Sequence, residues 1–334
     1  MKLGTLRNGR PDGQLVVVSG DLARCVSAGR IAPSLQAALD DWDRAEPALE
    51  DLARALENGR IAAQPFDPGT AMAPLPRAYQ RIDAMAYASH LERLGAGPSA
   101  PGGASQWPML HQAASDQLAG PTSPLMIPDG DQSADFGAEI VAVLGRVPIR
   151  PSREEAAASV RLLMLANEVT LRRWLAVDPG AHASLRAKPG TAFAPVAVTP
   201  GELKAGWRNE RVHLAVRVLL DDMLFGQPDA GKMKFDFAEL VAAAAQTREL
   251  GSGTLIGSGI VSNAHNETPP IRREGLGFAC LAEARAAEKA KYGRARSPFL
   301  KPGNRVRIVA IDAEERPMFG TIDQAVVLDR TFAG

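Results

Sequence analysis

The sequence is short of cysteine, aromatic residues, net charge and long apolar runs, and each shortage excludes something. Two cysteines, Cys25 and Cys280, stand far apart in 334 residues and form no metal-binding or redox motif. Such sparse use suits a reducing cytoplasm. Thirty-eight Lys and Arg against 38 Asp and Glu leave a formal net charge of zero. No overall basic field therefore draws the chain to nucleic acid or to an anionic membrane. No apolar run is long enough to cross a bilayer, and the first ten residues lack the apolar core of a signal peptide. These absences predict a soluble cytoplasmic protein, long enough to bury a large core in two domains or in one with a small appendage.

What is present is a sparse set of elements. Residues 15–18, four apolar residues after a Pro-Asp-Gly turn, predict a strand. Leu35, Leu39, Trp42, Leu49, Leu52 and Leu56 recur at helical spacing and predict a helix from 33 to about 58. The Pro- and Gly-rich segment 66–76 divides the chain into a small N-terminal domain over 1–72 and a larger domain over 73–334. Residues 94–106 hold little that can pack and predict a mobile surface loop or lid. Ser152 and Glu155 form a capping box that starts a helix, while 162–170 fits either its continuation or a strand. Asp236 caps a helix over 237–250, closed by Gly251. Strands follow at 254–256, 306–311 and 318–327, the last two as a hairpin. With no regular βαβ alternation, the fold class is α+β and rich in β.

The chemistry begins at Asp135-Phe136-Gly137-Ala138-Glu139-Ile140. Residues two apart on a strand share a face, so positions 137 and 139 address one point, but only Glu139 carries a carboxylate there. A lone carboxylate in an apolar run is costly unless paired or metal-bound. Glu168 sits in a second such run. With Asp83 these make a hard oxygen donor set suited to Mg²⁺ or Ca²⁺. The competing reading is a pair of buried salt bridges to Arg161 or Arg172. His90 follows Asp83 by seven residues, as a base on a short helix after an acid at a strand end. Glu92 either orients its ring or faces water. Lys188, before Pro-Gly, is a loop charge or a stabiliser of a developing enolate, and Glu283 is one more acid after an apolar run. His111, His182, His213 and His265 have no ligand spacing. Trp107, Trp174 and Trp207 read as core or lid packing. The glycines between 251 and 259 do not fit a phosphate-binding fingerprint and read as close approach of backbone to a ligand, or as tight packing.

As a set, four blocks resemble the fumarylacetoacetate hydrolase family: Leu165-Ala166-Asn167-Glu168-Val169-Thr170-Leu171-Arg172, Lys188-Pro189-Gly190-Thr191-Ala192-Phe193, Met233-Lys234-Phe235-Asp236-Phe237 and Gly257-Ser258-Gly259-Ile260-Val261-Ser262-Asn263. The likeness runs from Ala73 to Gln324. It implies a fumarylacetoacetase-like β-roll C-terminal domain behind a small N-terminal domain, usually in a homodimer. It implies Mg²⁺ or Ca²⁺, sometimes Mn²⁺, and a small oxo-acid or diketo-acid substrate such as fumarylacetoacetate, whose C–C bond is hydrolysed in aromatic amino acid catabolism. Position by position, it implies Asp83, Glu139 and Glu168 as metal ligands. His90 becomes the residue that activates water, Glu283 its partner, and Lys188 the group that stabilises substrate oxygens. Three departures stand out. Gly137 takes the place of the first acid of a Glu-x-Glu pair, Glu168 that of an Asp, and Ile260 that of a Thr. The expectation is that the longer Glu168, or a water, fills the volume left at 137, and that a carboxylate restored there tightens metal binding. The alternative is a catalytically impaired or repurposed member that binds a small oxo-acid or a protein partner.

Overall fold

The computed structural model describes residues 1–95, 107–128, 133–177, 186–264 and 277–329. Among them, one eleven-stranded sheet carries the site. From one edge it runs Gln64–Pro65, Arg24–Ser27, Gln14–Val18, Lys2–Leu6, Val196–Val198, Val160–Glu168, Ala138–Leu144, Leu255–Gly257, Arg81–Ala84 and Leu110–Ala113, with Thr191–Phe193 also paired to Val160–Glu168. A five-stranded sheet joins Met223–Gly226, Ala215–Leu220, Arg305–Ile311, Pro317–Asp329 and Leu125–Pro128. The fold is α+β and strand-rich. The first three strands, though they precede the Pro-rich divide, continue the large sheet through the pairing of Leu3 with Ala197.

The apolar run after Glu139 forms the central strand Ala138–Leu144, buried at every position. Residues 162–170 resolve as strand: Val160–Glu168 pairs antiparallel with Ala138–Leu144, placing Ala166 opposite Glu139. The strands expected near 15–18, 254–256, 306–311 and 318–327 are present, and the last two pair as a hairpin. The Ser152 capping box is formed and starts the helix Arg153–Ala158.

Two helices differ from expectation. The span 33–58 divides into Leu35–Asp40 and Trp42–Glu57, because Asp41 leaves helical geometry at φ −134° and ψ 51°. The Asp236-capped helix stops at Ala244 rather than running to 250. The chain turns and bends over 245–248, the Ala245 carbonyl accepts from Arg150 N–H, and Leu250 exchanges two backbone hydrogen bonds with Val147. The expected lid over 94–106 lies outside the described residues beyond Gly95. No described helix is long and apolar enough to cross a membrane.

Candidate active site

Three strands of the large sheet bring three carboxylates together, with Leu255–Gly257 lying between those of Glu139 and Asp83. Asp83 comes from Arg81–Ala84, Glu139 from the start of Ala138–Leu144, and Glu168 from the end of Val160–Glu168. One oxygen of each lies within 4.8 Å of the others, and all three side chains are buried. Gly257 makes this approach possible. It pairs with Asp83 in register, and a Cβ there would fall 2.7 Å from Asp83 Oδ1 and 2.8 Å from Glu139 Oε2. Of the two readings of the 251–259 glycines, tight packing is the one met at Gly257.

Arg81, absent from the sequence-based site, lies among these acids. It precedes Asp83 by two and so faces the same way along the strand. Its Nη2 is 2.8 Å from Glu139 Oε1, 2.8 Å from Glu168 Oε1 and 2.9 Å from Asp83 Oδ1. The first two are hydrogen bonds. The third is a charge contact only, since Asp83 Oδ1 has no hydrogen-bond partner. Nη1 donates to Thr191 Oγ1 at 2.5 Å. Lys188 Nζ closes the other side, bonded to Glu168 Oε2 and 3.6 Å from Asp83 Oδ2.

The expected partners of the buried acids are therefore corrected. Arg172 donates to Asp135 Oδ2 at 2.9 Å, and Arg161 pairs with Asp43 at 3.8 Å. Arg161 stands seven residues from Glu168 on one strand, about 23 Å away at the rise of an extended chain.

Burial sets the protonation of the group. It pushes the Glu139 carboxyl up to about 7, reinforced by the negative charge of Glu168 and opposed by Arg81. It pushes Asp83 well above its usual range too; Arg81 opposes this, while Glu168 and Glu139 add to it. Burial acts on Glu168 in the same sense, but Lys188 and Arg81 outweigh it and hold that carboxyl low. His111, across the strand pair from Asp83, is pushed down to about 4 by burial and by Lys188. It is therefore a neutral ring at neutral pH.

A second cluster holds the imidazole. His90 lies on the helix Ala88–Arg93 and its Nδ1 meets Glu283 Oε1. Glu283 stands in the first turn of Leu281–Tyr292, where helix N–H groups favour a carboxylate. Its other oxygen accepts from Ser262 Oγ and from Arg93 Nη1, each at 3.0 Å. The Arg93 guanidinium is itself braced over the Phe278 ring at 4.6 Å. Asp135 anchors the same helix, accepting from the backbone N–H of Leu281 at 2.7 Å and of Ala282 at 3.0 Å. Glu92, considered as the partner of His90, is exposed. Arg93 and Ser262 were not singled out in the sequence, and no spacing signal marks them.

Both clusters open onto one cavity of about 420 Å³, lined by His90, Asp83, Glu168, Lys188 and Arg172 among apolar walls that include Met85, Met109 and Ile260. Of the tryptophans, Trp207 packs against Phe237 with ring centres 6.2 Å apart. Trp174 has Arg173 and Arg186 over its ring, and Trp107 is exposed rather than core. His182 and His265 lie outside the described residues.

The space beside Gly137 belongs neither to Glu168, whose two oxygens are engaged by Arg81 and Lys188, nor to a site for water. A Cβ at 137 would meet Ile260 Cδ1 at 2.8 Å, Ile260 Cγ1 at 2.9 Å and the Glu168 carbonyl oxygen at 3.0 Å. The two departures at 137 and 260 are thus one packing unit. Gly137→Ala should destabilise the fold by about 1–3 kcal/mol, the usual cost of overpacking. Ile260→Val, which removes Cδ1, should return part of that loss in the double variant. Urea unfolding of the four members of the cycle measures it, and strictly additive effects would show that the two side chains do not compete.

Three carboxylates are the donor chemistry of a divalent-ion site. The place between them does not fit an ion, however, because the Arg81 nitrogen stands within hydrogen-bond or charge-contact distance of one oxygen from each acid.

The relatives agree with the architecture. Residues 1–77 match the model described as fumarylacetoacetase N-terminal domain 2, and residues 81–327 match fumarylacetoacetate (FAA) hydrolase C-terminal. No curated protein matches the chain. Among solved structures, a Mycobacterium smegmatis protein assigned as HpcE shares 20% identity, with 98% of this chain and 99% of that one covered and a TM-score of 0.70. Maleylpyruvate hydrolase from Sphingobium sp. SYK-6, in complex with manganese(II) and pyruvate, shares 17% identity over 99% and 100% of the chains, with a TM-score of 0.66. A 5-carboxymethyl-2-hydroxymuconate delta-isomerase from Mycobacterium smegmatis shares 16% over 98% and 99%, with a TM-score of 0.61. At these identities the structural likeness speaks for the fold alone. The family models, which together span nearly the whole sequence, carry the assignment: this chain belongs to the fumarylacetoacetate hydrolase family, whose members include hydrolases and isomerases.

Proposed function

We propose that the chain hydrolyses a C–C bond of a small diketo acid, of which fumarylacetoacetate is one example. The observation that carries this reading is the presence, on one cavity, of an imidazole held at Nδ1 by Glu283 and of the Lys188 ammonium. With Nδ1 engaged, Nε2 is left to take a proton from water. The water oxygen then adds to a ketone carbon. The adjacent C–C bond breaks, and its electron pair passes into an enolate, which Lys188 stabilises. The proton held by His90 returns to the enolate carbon, giving two acids or an acid and a ketone. Met109, Leu110 and the other apolar walls exclude bulk water, so the charge on Lys188 acts more strongly there.

A divalent ion (Mg²⁺, Ca²⁺ or Mn²⁺) would be held by Asp83, Glu139 and Glu168 and would supply Lewis-acid polarisation. Since Arg81 fills that place, no step above uses one. The same proposal takes residues 1–72 as a small N-terminal domain, supported by family models that meet between 77 and 81 and by a cavity lined only from Asp83 onward. A homodimer in the cytoplasm suits the exposed apolar Met223 and Leu224 and the two free, buried thiols Cys25 and Cys280.

The test is a panel of acylpyruvates and fumarylacetoacetate, followed by loss of the diketone absorbance and by mass analysis of products. Hydrolysis of at least one member is expected. Products of unchanged mass would move the reading to isomerisation. Binding of pyruvate with no turnover of any member would favour the second reading, a repurposed family member that binds a small oxo-acid, for which the Gly137–Ile260 pair speaks.

A further inference from the structure

We propose that the Arg81 guanidinium permanently holds the cation position of the carboxylate cage, so that this chain works without a divalent ion. The inference goes beyond the reaction proposed above and does not depend on which bond is cleaved. Three features of the structure carry it.

The first is position. A bound Mg²⁺ must stand about 2.0–2.1 Å from each ligand oxygen, and Mn²⁺, similarly partial to oxygen, needs the same central place. Arg81 Nη2 lies 2.8–2.9 Å from one oxygen of all three acids, which makes it the common neighbour that an ion would otherwise be. A divalent ion and a guanidinium brought to one buried place would repel each other far more strongly than in water.

The second is that Arg81 has no way out. Its backbone is pinned in the interior of the large sheet, opposite Leu255 on one side and Ala113 on the other. The side chain is 2% exposed, and Nη1 is fixed to Thr191. The two acids beside it meet over bare backbone: a Cβ at 257 would fall 2.7 Å from Asp83 Oδ1 and 2.8 Å from Glu139 Oε2.

The third is that two fixed cations already face the acids and the remaining ligand position is closed. Arg81 and Lys188 set two fixed positive charges against three carboxylates. The fourth acid position, 137, carries no side chain, and Ile260 has closed over it. An arginine in the ion's place would make little sense beside an open fourth ligand position. Beside a closed one, it accounts for both the Gly137 and the Ile260 departures. The cage then has a structural and electrostatic duty: it holds Lys188 at the cavity wall.

Mn²⁺ titration followed by electron paramagnetic resonance tests this without reference to activity. The wild-type protein, purified and stripped with chelator, should leave Mn²⁺ free up to about millimolar concentration, with no rise in Tm. Arg81→Gln removes the charge and should bind one Mn²⁺ per chain at least 100-fold more tightly than wild type, with a Tm that rises with Mn²⁺. Wild-type protein that binds one Mn²⁺ at micromolar concentration would overturn the proposal, while the hydrolase reading would stand or fall separately in the substrate panel. A folded Arg81→Gln that stays as indifferent to Mn²⁺ as wild type would also overturn it, because something other than Arg81 would then exclude the ion. Should Arg81→Gln fail to fold, the wild-type titration decides alone.

Discussion

His90→Ala is expected to lower kcat for diketo-acid hydrolysis by about 10²–10⁴-fold, the usual contribution of a positioned general base, while KM changes only a few-fold. The expected split follows from the geometry. His90 is at the cavity wall but is not a fixed charge that would anchor a carboxylate; Lys188 and Arg172 supply those. Its removal should therefore spare binding and cost the step in which water loses its proton. Glu283→Gln separates base strength from mere ring placement. The amide oxygen can still accept from Nδ1 and the amide NH2 can donate to the Ser262 hydroxyl, but the Arg93 hydrogen bond and the negative charge beside the ring are lost. An intermediate loss in kcat is expected. If His90→Ala turns over at the wild-type rate, water activation is not its role, and isomerisation or decarboxylation becomes the better account of the cavity.

The parts of the site visible in sequence are those that break a pattern. Glu139 and Glu168 stand out because a carboxylate inside an apolar strand demands a partner, and the structure buries both. His90 and Glu283 are separated by 193 residues, and only the family resemblance joins them, since no periodicity links two helices so far apart. Arg81 escaped notice for a different reason. An arginine before an acidic strand residue reads as a solvated charge, although the alternation rule applied to 137 and 139 also places 81 and 83 on one face. What sequence could not supply was burial. The strand Arg81–Ala84 is covered by neighbours on both edges, and that arrangement turns an ordinary Arg-x-Asp into a guanidinium inside a cage. The volume at 137 was equally hidden. Its occupant, Ile260, comes from a segment 123 residues further along the chain.

Arg81→Met should be the most destabilising single substitution in the site, at about 3–5 kcal/mol near pH 8, because it leaves buried carboxylates without their partner. Its pH dependence should betray the cause. Glu139 already titrates near 7 in the folded protein because burial and Glu168 outweigh the opposing Arg81, and Asp83 is raised as well. Loss of the guanidinium removes the opposing influence and drives both higher. A carboxyl whose folded pKa exceeds its unfolded value, roughly 4 for these acids, keeps its proton longer in the native state. Its contribution to stability is then greatest below about pH 4 and is lost as pH rises toward the folded pKa. The variant should therefore be hurt least near pH 5 and most near pH 8, with stability falling more steeply over that interval than in wild type. Glu168 works the other way. Its depressed pKa gives stability above about pH 4 that is lost below, and without Arg81 that benefit shrinks as well. Urea unfolding at pH 5, 6.5 and 8 measures the difference. A second substitution, Glu139→Gln, should recover part of the loss at pH 8 and little at pH 5, since it removes a charge that exists only at the higher pH. A cost below about 1 kcal/mol at pH 8, or one that does not vary with pH, would mean that the guanidinium is not what balances the buried acids.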